Sequence, residues 1–410
     1  MKICIITLEQ TNRNYSLSGG ALRVTGLKYL LQSMGHEVVV LQKEGPQDLN
    51  EDTYSFQMTE AKSDGLLHTD ISDKILEISP DQVIVEQWGL LEWFETEVPV
   101  IVDLHGSLIW ENYYKGYRDE QQTRAKLICL AKADAVIVPG ERQYYYFLAW
   151  SQMAGLKELD QRLRIVPLLL DESFYEHKVN KESSTIVMGG ATWPWVKQLP
   201  EEKLQRYLEK ENLTVLSKFY QPQDTSIHHN DDGAIVKTGE AHNTLIKQYC
   251  QSLAAFDLYE INMERKLAVT TRSVEYLYCG LPIIYSKGLE LSDIVENNGL
   301  GILIDQPSEL FKLTKLKSKL QECKRNVFQF NLKHYFFDKA QESLDCILNL
   351  TKKKNTLSPI TNIEIERRLY RKRVGELESS GPKQGGLSED SFYKDLWLKD
   401  METIYKRNLK

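Results

Sequence analysis

Residues 272–284 read Arg272-Ser273-Val274-Glu275-Tyr276-Leu277-Tyr278-Cys279-Gly280-Leu281-Pro282-Ile283-Ile284. The spacing predicts a helix that Gly280 stops and a buried strand that Pro282 opens. Glycine takes the left-handed turn at a helix end cheaply, and proline cannot continue the helix. The same alternation runs outward from this stretch. Upstream lie a strand, STIVMGG (184–190), a helix over 200–211, a strand LTVLSKF (213–219), a strand AIVKTG (234–239), a helix over 242–252 and a strand AAFDLYEI (254–261); downstream lies GILI (301–304). Apolar strands alternating with helices mean a parallel sheet covered on both faces.

The first part of the chain repeats the pattern. KICIITL (2–8) is a strand, a helix runs from Ala21 to Met34 with Gly35 as its stop, and EVVVL (37–41) follows. Short β-branched runs at 82–86, 99–103 and 135–138 continue it. The expected fold is α/β: two Rossmann-like, doubly wound domains, residues 1–170 and 171–335, facing across a cleft. A crossover helix over 336–350 and a basic, partly disordered 351–410 extension with a helix near its end complete the chain. Ligands of such sheets bind outside the carboxyl ends of the strands.

Composition limits the function classes. The chain has 410 residues, 42% of them hydrophobic, and a formal net charge of −7. That balance supports folded cores and argues against nucleic acid as the main partner. No apolar run exceeds seven residues (Tyr144–Trp150 is one), far short of the roughly 20 a spanning helix needs. The start, MKICIITLEQ, lacks the form of a signal peptide. The expected location is cytoplasmic, with peripheral contact at the inner face of a membrane as the alternative. Residues 312–325 carry six Lys/Arg against one Glu, and 352–373 carry eight against two. Such runs are solvated helix faces or weak attractors of anionic lipid. The six cysteines show no metal-site spacing and read as buried, reduced thiols.

Four motifs follow strands. Ser18-Gly19-Gly20-Ala21-Leu22-Arg23 opens the first helix, and paired glycines there admit an anion or an acceptor group to backbone N–H donors; a tight turn is the alternative. A dinucleotide fingerprint needs another glycine where Arg23 stands, which disfavours a dehydrogenase. Asp103-Leu104-His105-Gly106-Ser107 places a histidine at a strand end, as a ligand contact or a structural residue. Val187-Met188-Gly189-Gly190 leads into Trp193-Pro194-Trp195-Val196-Lys197, where the glycines admit a ligand and Lys197 can neutralise phosphate. Glu275 is placed to accept hydrogen bonds from a ribose diol or to cap its helix. The Asp231-Asp232 pair in a polar loop is no convincing metal site.

Together these motifs resemble the nucleotide-sugar-dependent glycosyltransferases of the GT-B fold, of the family-four (group 1) type, over about residues 1–345. Glu275 with Gly280 and Pro282 matches the family's Glu-x4-Gly-x-Pro pattern. DLHGS resembles its strand-end histidine, and RIVPLLLDE (164–172) its interdomain segment. ADAVIVPGERQ (133–143) resembles the strand before its serine-bearing loop, with Gly140 in the serine's place. GGATWPWVK resembles a bacterial polysaccharide-assembly branch.

The resemblance implies a retaining, metal-independent transferase with no cofactor beyond its co-substrate. The sugar would pass from a nucleoside diphosphate sugar to a glycan, lipid-linked or other hydroxyl acceptor. Glu275 would bind the ribose, with Gly189, Gly190, Lys197 and Arg272 around the phosphates. His105 would contact the sugar at the reacting centre, and Gly19, Gly20 and Arg23 would lie on the acceptor side. The family's earlier glutamate falls at Leu267 here, so Glu264 takes its place as catalytic candidate. The usual arginine after the donor-domain glycine is absent, which leaves Lys197, Arg265, Lys266 or Arg272 to meet the pyrophosphate. A nucleotide-sugar 2-epimerase and a catalytically degenerate binding or assembly protein are the alternatives.

Overall fold

In the computed structural model the described residues are 1–45, 49–60, 67–116, 120–171, 183–191, 193, 201–220 and 241–351. The strand expected at 234–239, the Asp231-Asp232 loop, Lys197 and the helix expected near the end of the chain lie outside them. The described residues belong to one compact unit, residues 1–354.

Fourteen described strands follow the sequence pattern: β1 Lys2–Thr7, β2 Glu37–Lys43, β3 Thr53–Phe56, β4 Met58–Glu60, β5 Leu67–Thr69, β6 Gln82–Glu86, β7 Val100–Asp103, β8 Ala135–Val138 and β9 Leu163–Ile165 come first. β10 Thr185–Ala191, β11 Thr214–Tyr220, β12 Ala254–Asp257, β13 Ile283–Ser286 and β14 Gly301–Ile304 follow. The first sheet has the order β3-β2-β1-β6-β7-β8-β9 and the second β11-β10-β12-β13-β14. Every pairing within these two sheets is parallel. A small antiparallel pair, β4 with β5, stands apart; its three-residue strands are too short to carry a period in the sequence. In each large sheet the strand order reverses once, between β1 and β6 and between β10 and β12. Ligands bind at such switch points, beyond the strands' carboxyl ends.

Side chains alternate across each sheet. Cys4, Ile6, Val83 and Val85 join one core. Ile3, Ile5 and Ile84 join another, against Val24, Leu27, Leu30 and Leu31 of the helix Gly19–Ser33. That second core also takes Ala340, Leu344, Ile347 and Leu348 from the helix Leu332–Leu350. The crossover helix therefore begins four residues earlier than expected and returns to the first sheet. In the second sheet Ile186, Met188 and Phe256 pack against Leu204, Leu208, Leu316 and Leu320. Its other face, Val187, Ala255, Ile283 and Tyr285, shares a core with Leu17, Ala21 and Leu22 from the first half.

Gly26 permits close packing. A Cβ on Gly26 would stand 2.0 Å from the Leu169 carbonyl oxygen, so the first helix lies directly on the segment joining the halves. Four cysteines are buried as expected, but Cys323 is half-buried and Cys346 is exposed on the last helix. Among the described residues no helix is long and apolar enough to cross a membrane.

Candidate active site

In the second half, β10 runs through Gly189 and Gly190 to Ala191, and Gly190 has φ +108°. A Cβ there would lie 1.8 Å from Arg272 Nη2, so the missing side chain is what lets the guanidinium lie against the strand end. Arg272 Nη1 donates to the Tyr259 hydroxyl at 2.7 Å. Among the described residues no carboxylate pairs with Arg272. Arg265 differs: its Nη2 meets Asp257 Oδ1 at 3.1 Å, and Ser273 Oγ donates to the other Asp257 oxygen. Arg265 is therefore neutralised by the end of β12, whereas Arg272 has only the Tyr259 hydroxyl as a side-chain partner among the described residues.

Arg272 and Glu275 share the helix Thr271–Tyr278, whose first turn holds no acidic residue. Glu275 lies in its second turn, so the capping alternative does not apply. Its Oε1 instead meets His242 Nε2 at 2.6 Å, with both side chains buried. His242 begins the helix His242–Cys250, and its backbone N–H donates to the Tyr15 carbonyl at 2.9 Å. Glu264 is buried on the short helix Met263–Leu267, which packs against the helices Leu108–Lys115 and Glu141–Met153 of the first half. Tyr114 Oη stands 3.2 Å from the Met263 N–H.

In the first half, Gly19 and Gly20 lie inside the first turn of the helix, two residues before its expected start. Ser18 is the N-cap, and its Oγ accepts from the Ala21 N–H at 3.0 Å. Ser18 Oγ also donates to Glu9 Oε2 at 2.6 Å. A Cβ on Gly20 would meet Glu9 Oε1 at 2.8 Å and Glu86 Oε1 at 3.0 Å. The paired glycines therefore admit two carboxylates to this helix N-terminus. Glu86 ends β6; its Oε2 accepts from Thr7 Oγ1 at 3.0 Å and its Oε1 meets His105 Nε2 at 2.7 Å. Burial pulls the His105 imidazole down, but the Glu86 hydrogen bond and charge outweigh it and leave its pKa raised. Burial, reinforced by the Glu86 charge, pushes Glu9 up to about 7.

Arg23 does not reach this group. It is buried, with Nε and Nη2 each 2.9 Å from Asp103 and Nη1 bound to the Val166 and Pro167 carbonyls. The expectation of Arg23 on an acceptor or phosphate is corrected accordingly: it ties the first helix to β7 and to the interdomain segment.

The structure thus assembles two groups. Gly190 meets Arg272 at the second switch point, with Gly189 beside it on β10 and Glu275 on the Arg272 helix, and Gly20 and His105 are joined through Glu86 at the first. The two touch where a Cβ on Gly19 would lie 2.9 Å from Thr271 Oγ1. Sequence reasoning missed Glu9, Glu86, His242, Tyr259 and Asp257. Glu86 and Asp257 had a signal, since each is an acid closing an apolar strand. His242 had none, standing 33 residues from its partner. Among the described residues no group of three or more His, Cys, Asp or Glu is placed to hold a metal.

Residues 255–341 match the family model described as "Glucosyltransferase 3-like, C-terminal domain". No curated protein sequence matches significantly. Among solved structures, the catalytic domain of starch synthase IV from Arabidopsis thaliana, bound to ADP and acarbose, superposes with TM-score 0.55 at 10% identity, covering 86% of this chain and 99% of that one. Anabaena Alr3699/HepE in complex with UDP-glucose gives 0.53 at 11%, covering 84% and 99%. TarM gives 0.50 at 9%, covering 86% and 99%. The fold is GT-B, the two-domain glycosyltransferase architecture. Within it, residues 255–341 are similar to the C-terminal domain of that glucosyltransferase family.

Proposed function

We propose that this chain is a retaining glycosyltransferase that uses a nucleoside diphosphate sugar, with no resident metal and no cofactor beyond that co-substrate. The observation that carries the reading is the asymmetry of two helix N-termini. The first, over Gly19–Ser33, is met by Glu9 and Glu86, whereas the one over Thr271–Tyr278 has no acid in its first turn and carries Arg272 without a carboxylate partner among the described residues. A helix N-terminus with an uncompensated guanidinium suits a pyrophosphate.

A departing nucleoside diphosphate gains negative charge, and fixed donors aimed at that charge lower the barrier. Here Arg272, the N–H groups of the Thr271–Tyr278 helix and the backbone at Gly189 and Gly190 serve that purpose, and Lys197, outside the described residues, is a further candidate charge. Glu275 receives the ribose hydroxyls. Glu264 orients the donor sugar, and His105 contacts it from the opposite half. The acceptor hydroxyl, on a glycan or lipid-linked glycan, enters from the β1–β6 side. Closure of the halves excludes water, so transfer outruns hydrolysis. We place the enzyme in bacterial polysaccharide assembly, on the cytoplasmic side of the membrane.

A thermal-shift panel of UDP, GDP, ADP and dTDP with their sugars tests the donor site. Ligand at 100 times its Kd adds roughly 2.7 kcal/mol of stability. One nucleotide class should raise the melting temperature, equally in EDTA, and Glu275→Ala should abolish the shift. Absence of any shift would refute the reading. NMR of the product settles the anomeric outcome, and an inverted linkage would remove the retaining assignment.

A further inference from the structure

Glu275 is buried, and a buried carboxylate needs a donor to stay ionised. His242 supplies it: Nε2 donates to Glu275 Oε1 at 2.6 Å, with the two side chains 3% and 8% exposed. The other carboxylate oxygen accepts no hydrogen bond among the described residues. His242 is itself fixed from the first half. Ala241, the cap of its helix, makes no side-chain hydrogen bond, and the N–H groups at the helix start are taken up by the loop after β1 instead. The Tyr15 carbonyl accepts from the His242 N–H at 2.9 Å and the Arg13 carbonyl from the Asn243 N–H at 3.4 Å. Asn243 Nδ2 donates to Asn14 Oδ1 at 3.4 Å, and Arg13 Nη1 donates to Asp171 Oδ1 at 2.9 Å. The place of the imidazole is therefore set by both halves.

Resting on the transferase reading, with Glu275 at the ribose, we propose that His242 is the positioning residue of the nucleotide site. It holds the Glu275 carboxylate in the orientation that presents Oε2 to a ribose hydroxyl. A glutamate side chain left to itself spreads over several rotamers and loses that freedom on binding. With Oε1 held by an imidazole that is fixed in turn, this cost is met when the chain folds. The arrangement also makes the hydroxyl count. A ribose that donates to Oε2 completes the carboxylate. A nucleotide lacking that hydroxyl leaves a carboxylate oxygen unpaired in a buried site, the condition under which polar sites discriminate most strongly. Without His242 the carboxylate turns or draws in water, and the hydroxyl contributes less.

The full chain is titrated by calorimetry with UDP, ADP, GDP and dTDP, and the tightest binder is compared with its forms lacking one sugar hydroxyl. The parent should lose about tenfold or more in affinity with at least one of these forms. In His242→Asn the amide stops at the position of Nδ1 and falls short of Glu275, so that loss should shrink to about threefold or less. In His242→Gln the amide reaches the position of Nε2, and most of the loss should return. A folded His242→Asn that keeps the parent's ratio, equal ratios in the two variants, or a parent indifferent to the missing hydroxyl would each overturn the proposal. If His242→Asn does not fold, 15N NMR of the histidine-labelled parent decides. The Nε2 signal that His242→Gln lacks should move with the complete nucleotide and less with the discriminated deoxy form; equal responses would overturn the proposal. The parent's thermal shift separates the two failures. No shift with any nucleotide refutes the donor reading, whereas a shift with an unaltered ratio in His242→Asn removes only the role of His242.

Discussion

Glu9 carries its cost in the pH dependence of folding. Its folded value, about 7, lies above the ordinary 4.5. The folded state therefore binds the extra proton between those values, and stability falls as pH rises from 4.5 through 7. Glutamine cannot ionise, so Glu9→Gln should be more stable than the parent at pH 8, by up to about 3 kcal/mol, and gain nothing at pH 4.5. Chemical denaturation at the two pH values checks this. A pH-independent difference would mean that the carboxylate is not held out of water.

At the scale of elements, close packing between helix and strand sets the site. Gly190→Ala places a methyl on the Arg272 guanidinium at φ +108°, so nucleotide binding should be lost and the melting temperature should also fall, because an L side chain is strained at that φ even if Arg272 swings away. Gly26→Ala meets a backbone carbonyl instead, and should cost about 1–3 kcal/mol in a melting experiment. The sheets were legible because apolar runs and glycine stops report them directly. The helix starting at Gly19 was read two residues late, since Ser18 signals its cap only once its hydroxyl is seen on the Ala21 N–H. The strand-end glycines, Arg272 and Glu275 were legible as residues at the start of helices and ends of strands in the second sheet. The pairings that define their roles were not: Glu275 with His242, Arg265 with Asp257 and Arg23 with Asp103 join residues on different elements, and chain order carries no record of which arginine is neutralised. Arg23 was misplaced for that reason.

For the whole molecule, the contact between halves includes a cap supplied from a distance. Glu290 accepts the backbone N–H groups of Glu141 and Arg142, at 2.5 and 3.2 Å, at the start of the Glu141–Met153 helix. Gly140 is required there, because a Cβ would meet Glu290 at 2.5 Å and Val269 at 2.6 Å. Arg13 and Asp171 add an ion pair near the junction. Glu290→Ala removes the cap and should cost about 1 kcal/mol. It should also enlarge the radius of gyration in X-ray scattering and raise the donor KM. Unchanged scattering would show that the cap does not hold the halves together. The body extends past Leu350: Thr351 is fully buried and accepts from Gln82 Nε2 at 3.1 Å. A truncation meant to spare the fold should therefore follow Lys354.

The return of the Leu332–Leu350 helix to the first sheet also bears on synthesis. The face of β1 formed by Ile3 and Ile5 takes Leu344, Ile347 and Leu348 as core partners, so the residues made first wait on residues made more than three hundred positions later. During translation that face stands uncovered until the last helix leaves the ribosome, and contacts so distant in sequence form slowly. An isolated 1–170 fragment should therefore aggregate or bind a hydrophobic dye, and adding the 332–354 segment in trans should suppress it. The folding unit of this protein is the whole body, even though its chemistry is divided between two sheets.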